Sequence, residues 1–292
     1  MEHRQSVGHL AALVTVIIWG TTFISTKVLL ESFSPVEILF FRFVLGLVAL
    51  WVAHPRRMRG TTWKQEGMFA LAGLCGVCLY YLLENIALTY TLASNVGVIV
   101  AVAPFFTAVL AALVFRGEER LSPRFFLGFL VAMAGIGLIS FNGAQLELNP
   151  LGDLLSLLAA LVWACYAILT RKIGGYGYPT VLITRRVFCY GLLFMVPALF
   201  LFDFRLGLER FADLANLGNL AYLGLGASAL CFVTWNFAVK VLGAVRTSVY
   251  IYAMPVITVL FSAVFLKEAV TPLLAVGTVL TLAGLVLSQR RG

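Results

Sequence analysis

Apolar runs of about 20 residues recur from one end of this chain to the other, and they limit its fold more than any other feature. Ten runs cover residues 8–29, 36–53, 67–90, 96–115, 125–141, 152–170, 180–202, 216–239, 247–266 and 271–288. Twenty helical residues span about 30 Å, the thickness of the hydrocarbon core of a bilayer. The runs lack the alternation of barrel strands, and backbone polar groups cannot stay unpaired in lipid. We therefore predict an all-α membrane protein with ten transmembrane helices, for which the lipid bilayer is the solvent.

Composition supports this interpretation. The chain is 61% hydrophobic and only 12% charged, whereas soluble proteins are about 45–50% apolar and about 25% charged. The net charge of +8 does not indicate nucleic-acid binding, because the basic residues form short clusters between the apolar runs. All five cysteines lie inside these runs, which argues against a disulfide framework. The CxxC of Cys75 and Cys78 lacks further ligands, so we predict packing roles for it and neither a metal nor a cofactor.

The basic residues predict the orientation of the chain. With a cytoplasmic N-terminus, 14 of the 21 Lys and Arg residues lie in inside segments and three, Arg205, Arg210 and Lys267, lie outside. Such an excess is typical of cytoplasmic loops. The first run has no clear cleavage site and is predicted to be retained as a span. We expect a bacterial inner (plasma) membrane protein with both termini in the cytoplasm.

The chain is also internally duplicated. An offset of 144 residues matches Trp19 to Trp163, Thr26 to Thr170, Pro35 to Pro179 and Arg42 to Arg186. An offset of 151 matches Asn85 to Asn236 and Pro104 to Pro255. Each copy holds five runs, an odd number, so the two copies cross the membrane in opposite directions. We predict two inverted repeats, over residues 1–146 and 147–292, with a substrate site between them near the midplane, as in many transporters.

Several segments in this order resemble a known family. They are "WGTTFISTK" from Trp19, "SP" followed by Arg42, "AVAPFFTAVLAALVFRGEERLSP" and "GFLVAMAGIGL", with "LVWACYAILTRK", "YAMPVITVLFSAVFLKEAVTP" and "AVGTVLTLAGLVL" in the second half. The set is similar to the EamA-type family of the drug/metabolite transporter superfamily, and its aromatic content resembles the YddG-like branch of aromatic amino-acid exporters. The resemblance implies two inverted five-helix repeats and the export of small metabolites.

No GxxxxGK[ST] motif is present, so this chain contains no P-loop ATP motor. We predict a secondary transporter, not an enzyme, that exports small amphipathic metabolites, with aromatic or bulky apolar amino acids as the leading substrate class. Export of drug-like cations or other metabolites is the alternative. A membrane-embedded enzyme or receptor would require clustered His, Asp and Glu residues or a soluble domain, which the sequence lacks. We expect a monomer.

Side chains that lipid does not favour identify the candidate site. Glu84 lies deep in the third run, where a carboxylate couples protons, binds a substrate ammonium or makes a structural hydrogen bond. Trp19 and Trp163 lie near the centres of their runs, away from the interfaces where tryptophan is usual. With hydroxyls, amides and tyrosines at nearby helical positions they predict an aromatic cavity. The predicted substrate-binding residues are Trp19, Thr22, Tyr80, Tyr81, Glu84, Asn85, Trp163, Tyr166, Tyr250 and Tyr252.

Two further pairs of matched residues, two arginines and two prolines, each have two possible roles. Arg42 and Arg186 lie about 10 Å into their helices, where each either binds a substrate carboxylate or extends to the headgroups in a structural role. Pro104 and Pro255 remove a backbone hydrogen bond in the middle of a predicted helix, so they predict either gating hinges or static kinks.

Overall fold

The computed structural model describes residues 2–90, 93–115, 122–140, 149–202, 204–265 and 272–289, and all regular structure in these ranges is helical. The first half contains α1 (Glu2–Leu29), α2 (Pro35–Ala53), α3 (Trp63–Gly73), α4 (Tyr80–Tyr90), α5 (Ala93–Val100), α6 (Ala103–Val114) and α7 (Pro123–Ser140). The second half contains α8 (Pro150–Gly174), α9 (Thr180–Leu201), α10 (Leu214–Ala221), α11 (Cys231–Leu242), α12 (Ala244–Ser248), α13 (Ala253–Phe265) and α14 (Pro272–Gln289). The predicted repeat boundary at 146/147 lies outside the described residues.

Six helical stretches are long and apolar enough to cross a membrane. They are Arg4–Leu29, Pro35–Ala53, Trp63–Tyr90, Pro150–Gly174, Thr180–Leu201 and Leu214–Leu242. Shorter apolar helices cover Ala103–Val114, Pro123–Leu138, Ala244–Ile257 and Ala275–Ser288. These helices support the predicted all-α class, whereas the number of ten transmembrane helices stays a prediction.

Two of the long stretches contain a π-helical segment. Leu74–Leu79 joins α3 to α4, and Tyr222–Leu230 joins α10 to α11. At the offset of 151 the first segment corresponds to residues 225–230, so both halves widen at the same place. The widening brings the backbone close to a neighbouring helix: a Cβ on Gly76 would overlap the ring of Tyr166. A π segment often marks a functional region of a helix.

The two prolines predicted to kink helices lie in first turns of helices instead. Pro104 stands in the first turn of α6, directly after a turn that separates α6 from α5. Pro255 is the third residue of α13, which follows the 3₁₀ segment Val249–Tyr252. Proline is tolerated in the first helical turn because that N–H has no partner within the helix. The corresponding breaks, one in each half, therefore occur where a new helix begins.

The last helices of the two halves, α7 and α14, pack backbone against backbone. A Cβ on Gly135 would lie 2.6 Å from the carbonyl oxygen of Gly277, and one on Gly284 would lie 2.6 Å from that of Gly128. Both separations are too short for any side chain. The glycines that are seven residues apart in each helix thus form one intramolecular contact, of the kind that small residues permit between membrane helices.

Candidate functional site

A cluster of aromatic rings fills the centre of the molecule and joins its halves. The ring centroids of Trp19 on α1 and Trp163 on α8 lie 5.2 Å apart in an edge-on contact. Trp235 on α11 lies 5.1 Å from Trp19, and Tyr80 on α4 lies 4.8 Å from Trp163. Edge-on and tilted contacts at such distances are favourable aromatic geometries. The two tryptophans matched by the duplication therefore contact each other directly.

A small cavity lies against this cluster. It is lined by Trp19, Thr22, Tyr80, Tyr81, Glu84, Val100, Trp163, Ile251 and Met254. Both halves contribute, through α1, α4 and α5 from the first and α8, α13 and the 3₁₀ segment from the second. The volume open to the centre of a water molecule is about 20 Å³, enough for about one water. The walls must move apart before a metabolite fits.

Glu84 is the charged residue in the lining of this cavity. Its side chain is buried, and the hydroxyl of Tyr80 donates to its Oε1 at 3.4 Å. A carboxylate in such surroundings is unfavourable unless it gains a proton or a cationic partner. The cavity thus combines one acidic group with aromatic walls, and both features attract an ammonium group.

The two central tryptophans differ in their hydrogen bonds. The indole N–H of Trp19 donates to the carbonyl oxygen of Ala227 at 2.9 Å. The indole N–H of Trp163 is buried and has no acceptor in the part of the chain that the structure describes. An unpaired buried donor is unfavourable and is normally satisfied by protein, water or ligand. Trp163 therefore brings a free donor to the wall of the cavity.

Four of the predicted substrate-binding residues lie outside the lining. Asn85 donates to the carbonyl oxygen of Pro35 at 3.1 Å. Tyr166 packs against Trp163 and donates to Oδ1 of Asn236 at 2.8 Å. The hydroxyl of Tyr250 lies 2.7 Å from Nδ1 of His9 on α1. Tyr252 packs in a separate apolar cluster with residues such as Phe125 of α7.

The lining also includes Val100, Ile251 and Met254, which the sequence did not single out. Tyr250 and Tyr252 were predicted as aromatic residues that precede Pro255 in the ninth run, and Val249–Tyr252 is a 3₁₀ segment. Ile251 lies in this segment and Met254 in the first turn of α13, three residues further on, and both side chains line the cavity. The sequence indicated Ile251 as a lining residue only through the tyrosine on each side of it.

The two matched arginines occupy different surroundings. Nη2 of Arg186 forms an ion pair with Oε1 of Glu66 at 2.8 Å, and its side chain is 36% exposed. Arg42 is 2% exposed, its Nε donates to Oγ of Ser228 at 3.0 Å, and its Cζ lies 4.5 Å from the ring centroid of Tyr81. Their symmetry in the sequence therefore does not extend to their contacts.

A wider, open cavity lies at the N-terminal end of α1 and the C-terminal ends of α6, α8 and α11, and we call it the basic mouth. It is lined by Arg4, Gln5, Phe115, Arg171, Gly174, Gly175, Lys240 and Val241. The volume open to the centre of a water molecule is about 600 Å³. This space is large enough for a small metabolite.

Curated proteins similar to this chain are named as transporters. A transporter of Archaeoglobus fulgidus is 29% identical over 98% of this chain and 99% of its own length. A probable terminal-alkyne amino-acid exporter of Streptantibioticus cattleyicolor is 30% identical over 96% of this chain and 93% of its own. A probable amino-acid metabolite efflux pump of Salmonella typhimurium is 26% identical over 94% of this chain and 92% of its own length.

A solved structure shares the fold. It superimposes with a TM-score of 0.78 over 97% of this chain and 96% of its own, at 20% sequence identity. The sequence profile of the EamA-like transporter family matches residues 6–141 and 150–289. This family and the apolar helices support a multi-pass membrane location. The chain belongs to the EamA-like transporter family.

Proposed function

We propose that this chain exports amino acids with aromatic or bulky apolar side chains by alternating access, as a member of the YddG-like branch. The observation that carries the proposal is the cavity between the halves, where Glu84 lies among Trp19, Trp163 and Tyr80. One acidic group in an otherwise aromatic and aliphatic wall suits an ammonium attached to an apolar side chain. Two relatives that are named as a probable terminal-alkyne amino-acid exporter and a probable amino-acid metabolite efflux pump support the same substrate class.

In this proposal the ammonium group of the substrate binds Glu84, and its side chain packs on the indole rings of Trp19 and Trp163. The N–H of Trp163, which has no acceptor among the described residues, donates to a substrate oxygen. Partial removal from water strengthens both interactions, because charges interact more strongly in surroundings of low dielectric. The central residues that we predicted from the sequence thereby receive complementary roles.

Alternating access requires the closed cavity to open first to one side of the membrane and then to the other. The helix breaks before Pro104 and before α13 lie next to Val100 and Ile251 in the cavity wall. Breaks of this kind are where transporter helices bend around a central site. We propose that α6 and α13 move about them while α7 and α14 stay packed together.

We further propose that both termini are cytoplasmic, that the halves form two inverted repeats, and that the basic mouth faces the cytoplasm. Arg4, Arg171 and Lys240 around that mouth agree with the positive-inside rule. Labelling Arg171→Cys with a membrane-impermeant thiol reagent tests the orientation, since modification should need access from the cytoplasmic side. Equal labelling of Arg205→Cys from that side would contradict it.

The experiment for the main proposal is transport in proteoliposomes of the purified protein. Efflux of labelled L-phenylalanine is measured against competing amino acids, at several pH values and membrane potentials. We expect phenylalanine, tryptophan and leucine to compete and glutamate to fail. If no amino acid moves or competes, the proposal is wrong.

Export of organic cations is the second candidate, because the charged side chain in the cavity lining is acidic. It predicts that amines compete for the site and that amino acids do not. The same assay separates the two candidates, since phenethylamine has the ring and ammonium of phenylalanine without its carboxylate.

A further inference from the structure

We infer that Arg42 is the carboxylate-binding group of the substrate site, covered by the ring of Tyr81 in the closed state, so that the transporter selects zwitterionic amino acids over amines. The inference rests on the proposed function and adds a charged residue that does not line the closed cavity. It joins Arg42 on α2 to Tyr81 and Glu84 on α4 in one site.

Arg42 keeps a positive charge although its side chain is buried. An arginine side chain stays protonated in proteins, so it cannot relieve its burial by losing a proton. Arg42 is 2% exposed, yet it has no ion-pair partner among the residues that the structure describes. A buried charge without a counter-ion is strongly unfavourable. A mobile anion that arrives with the substrate is the natural partner.

The guanidinium of Arg42 also has hydrogen-bonding capacity that the described residues do not use. The Nε–H of Arg42 donates to Ser228 at 3.0 Å, which holds the guanidinium in one orientation. Its Nη2 is buried and has no acceptor in the described part of the chain. A guanidinium binds a carboxylate through such terminal N–H groups, and the bond is strong because both partners are charged.

Arg42 also lies next to a residue that lines the cavity. The guanidinium carbon of Arg42 lies 4.5 Å from the ring centroid of Tyr81, and Tyr81 lines the cavity. A single side chain therefore connects Arg42 to the space beside Glu84. Arg42 also lies close enough to the Glu84 carboxyl for a charge interaction, although these two described side chains form no ion pair. Rotation of the Tyr81 ring as the cavity opens would present a cation and a carboxylate to one substrate.

The arginines of the second half, Arg186 at the matched position and its neighbour Arg185, argue against a purely structural role for Arg42. Arg186 has a protein counter-ion, Glu66, at 2.8 Å. Arg185 donates to the carbonyl oxygen of His54 at 2.6 Å and to that of Arg56. Arg186 leaves its own Nε without an acceptor among the described residues, but a carboxylate balances its charge. Arg42 differs because its buried charge has no ion-pair partner in that part of the chain and its terminal Nη2 is unpaired there.

Equilibrium binding of two probes to the purified protein in nanodiscs tests the inference. L-Phenylalanine carries both charges, and phenethylamine lacks only the carboxylate. For Arg42→Gln we expect phenylalanine binding to weaken by about 10- to 100-fold, because a charged hydrogen bond is lost. Phenethylamine binding should change by less than about twofold. Arg42→Lys should recover part of the phenylalanine affinity.

Matched variants make the outcome specific. Arg186→Gln is the control in the second half and should leave the ratio of the two affinities unchanged. Glu84→Gln should weaken both probes, because both carry an ammonium. If Arg42→Gln does not fold, Ser228→Ala tests the same point: it loosens the guanidinium and should weaken phenylalanine alone, by about threefold.

Two results would overturn the inference. One is equal weakening of both probes, or of neither, in the folded Arg42 and Ser228 variants. The other is a wild-type protein that binds phenethylamine as tightly as phenylalanine. A wild-type protein that binds no amino acid and no amine would instead contradict the proposed function itself.

Discussion

The helices α4 and α11 occupy corresponding positions in the two halves, yet they bring opposite chemistry to the centre. At the offset of 151, Cys231, Phe232 and Trp235 on α11 replace Tyr80, Tyr81 and Glu84 on α4. Both sets are buried and packed around Trp19 and Trp163. At these three matched positions the carboxylate and the hydroxyls therefore stand on α4, whereas α11 presents a thiol and two aromatic rings.

Under the proposed function, this difference lets two similar helices bind the two unlike ends of one substrate. An amphipathic substrate has one charged end and one apolar end, and each end needs its own wall. A site with two equal walls would leave either a charge without a partner or a ring against a carboxylate. Substitutions at matched positions of α4 and α11 test how strictly the two helices divide these roles.

Removing the charge of Glu84 on α4 should have the largest effect on transport. Glu84→Gln keeps the shape of the side chain and removes its charge, so we expect phenylalanine efflux to fall by about 10- to 100-fold, the loss of a charged hydrogen bond. Any dependence of transport on external pH that arises from this residue should disappear as well. Initial rates in proteoliposomes measure both.

The matched position on α11 provides the control. Trp235→Phe keeps an aromatic ring and should lower efflux by no more than about threefold. If Trp235→Phe and Glu84→Gln reduce transport equally and without change in pH dependence, the division between polar and apolar walls does not hold.

The π segments offer a second, structural comparison. A Cβ on Gly76 would overlap the Tyr166 ring, whereas one on Gly226 would lie 3.7 Å from the nearest atom, on Tyr222. Gly76→Ala should therefore destabilise the protein by about 1–3 kcal/mol, the usual effect of overpacking. Gly226→Ala should leave stability unchanged or improve it. Thermal unfolding in detergent measures both, and equal melting temperatures would show that the close contact with Tyr166 is unimportant.

The two indole N–H groups should give the smallest and most selective effects. Trp19→Phe removes a hydrogen bond to Ala227 and should cost about 1 kcal/mol of stability. Trp163→Phe removes a donor that has no acceptor among the described residues, so stability should hardly change, whereas phenylalanine affinity should fall by about threefold to tenfold. A loss of stability in Trp163→Phe with unchanged affinity would reverse these assignments.

The sequence predicted the central features of the site because they depend on depth in an apolar run. Trp19, Trp163 and Glu84 are costly or unusual at mid-membrane, and the structure brings all three to one cavity. Tyr250 and Tyr252 point elsewhere because Ile251 lines the cavity and the direct neighbours of a helical residue lie on other faces. No residue type in that stretch marks this in advance.

The limits of the symmetry argument are clearest at the arginines and the prolines. The offset of 144 matches Arg42 to Arg186, but the partner Glu66 comes from another helix, α3, and no pattern within the repeat predicts it. Pro104 and Pro255 stand in the first turns of helices, and the sequence alone does not show this, since proline is compatible both with a kink and with a first turn. Contacts between helices decide which partner each arginine has and whether each proline kinks a helix or begins one.

We propose that the substrate lies between the halves, with its ammonium at Glu84 and its ring between the two tryptophans. A structure of the protein with 4-bromophenylalanine, solved with anomalous scattering from bromine, tests this most directly. We predict a single strong bromine peak beside the rings of Trp19 and Trp163 in an enlarged cavity, and its loss in Glu84→Gln. A peak outside this cavity at saturating ligand, or an unchanged peak in Glu84→Gln, would contradict the account.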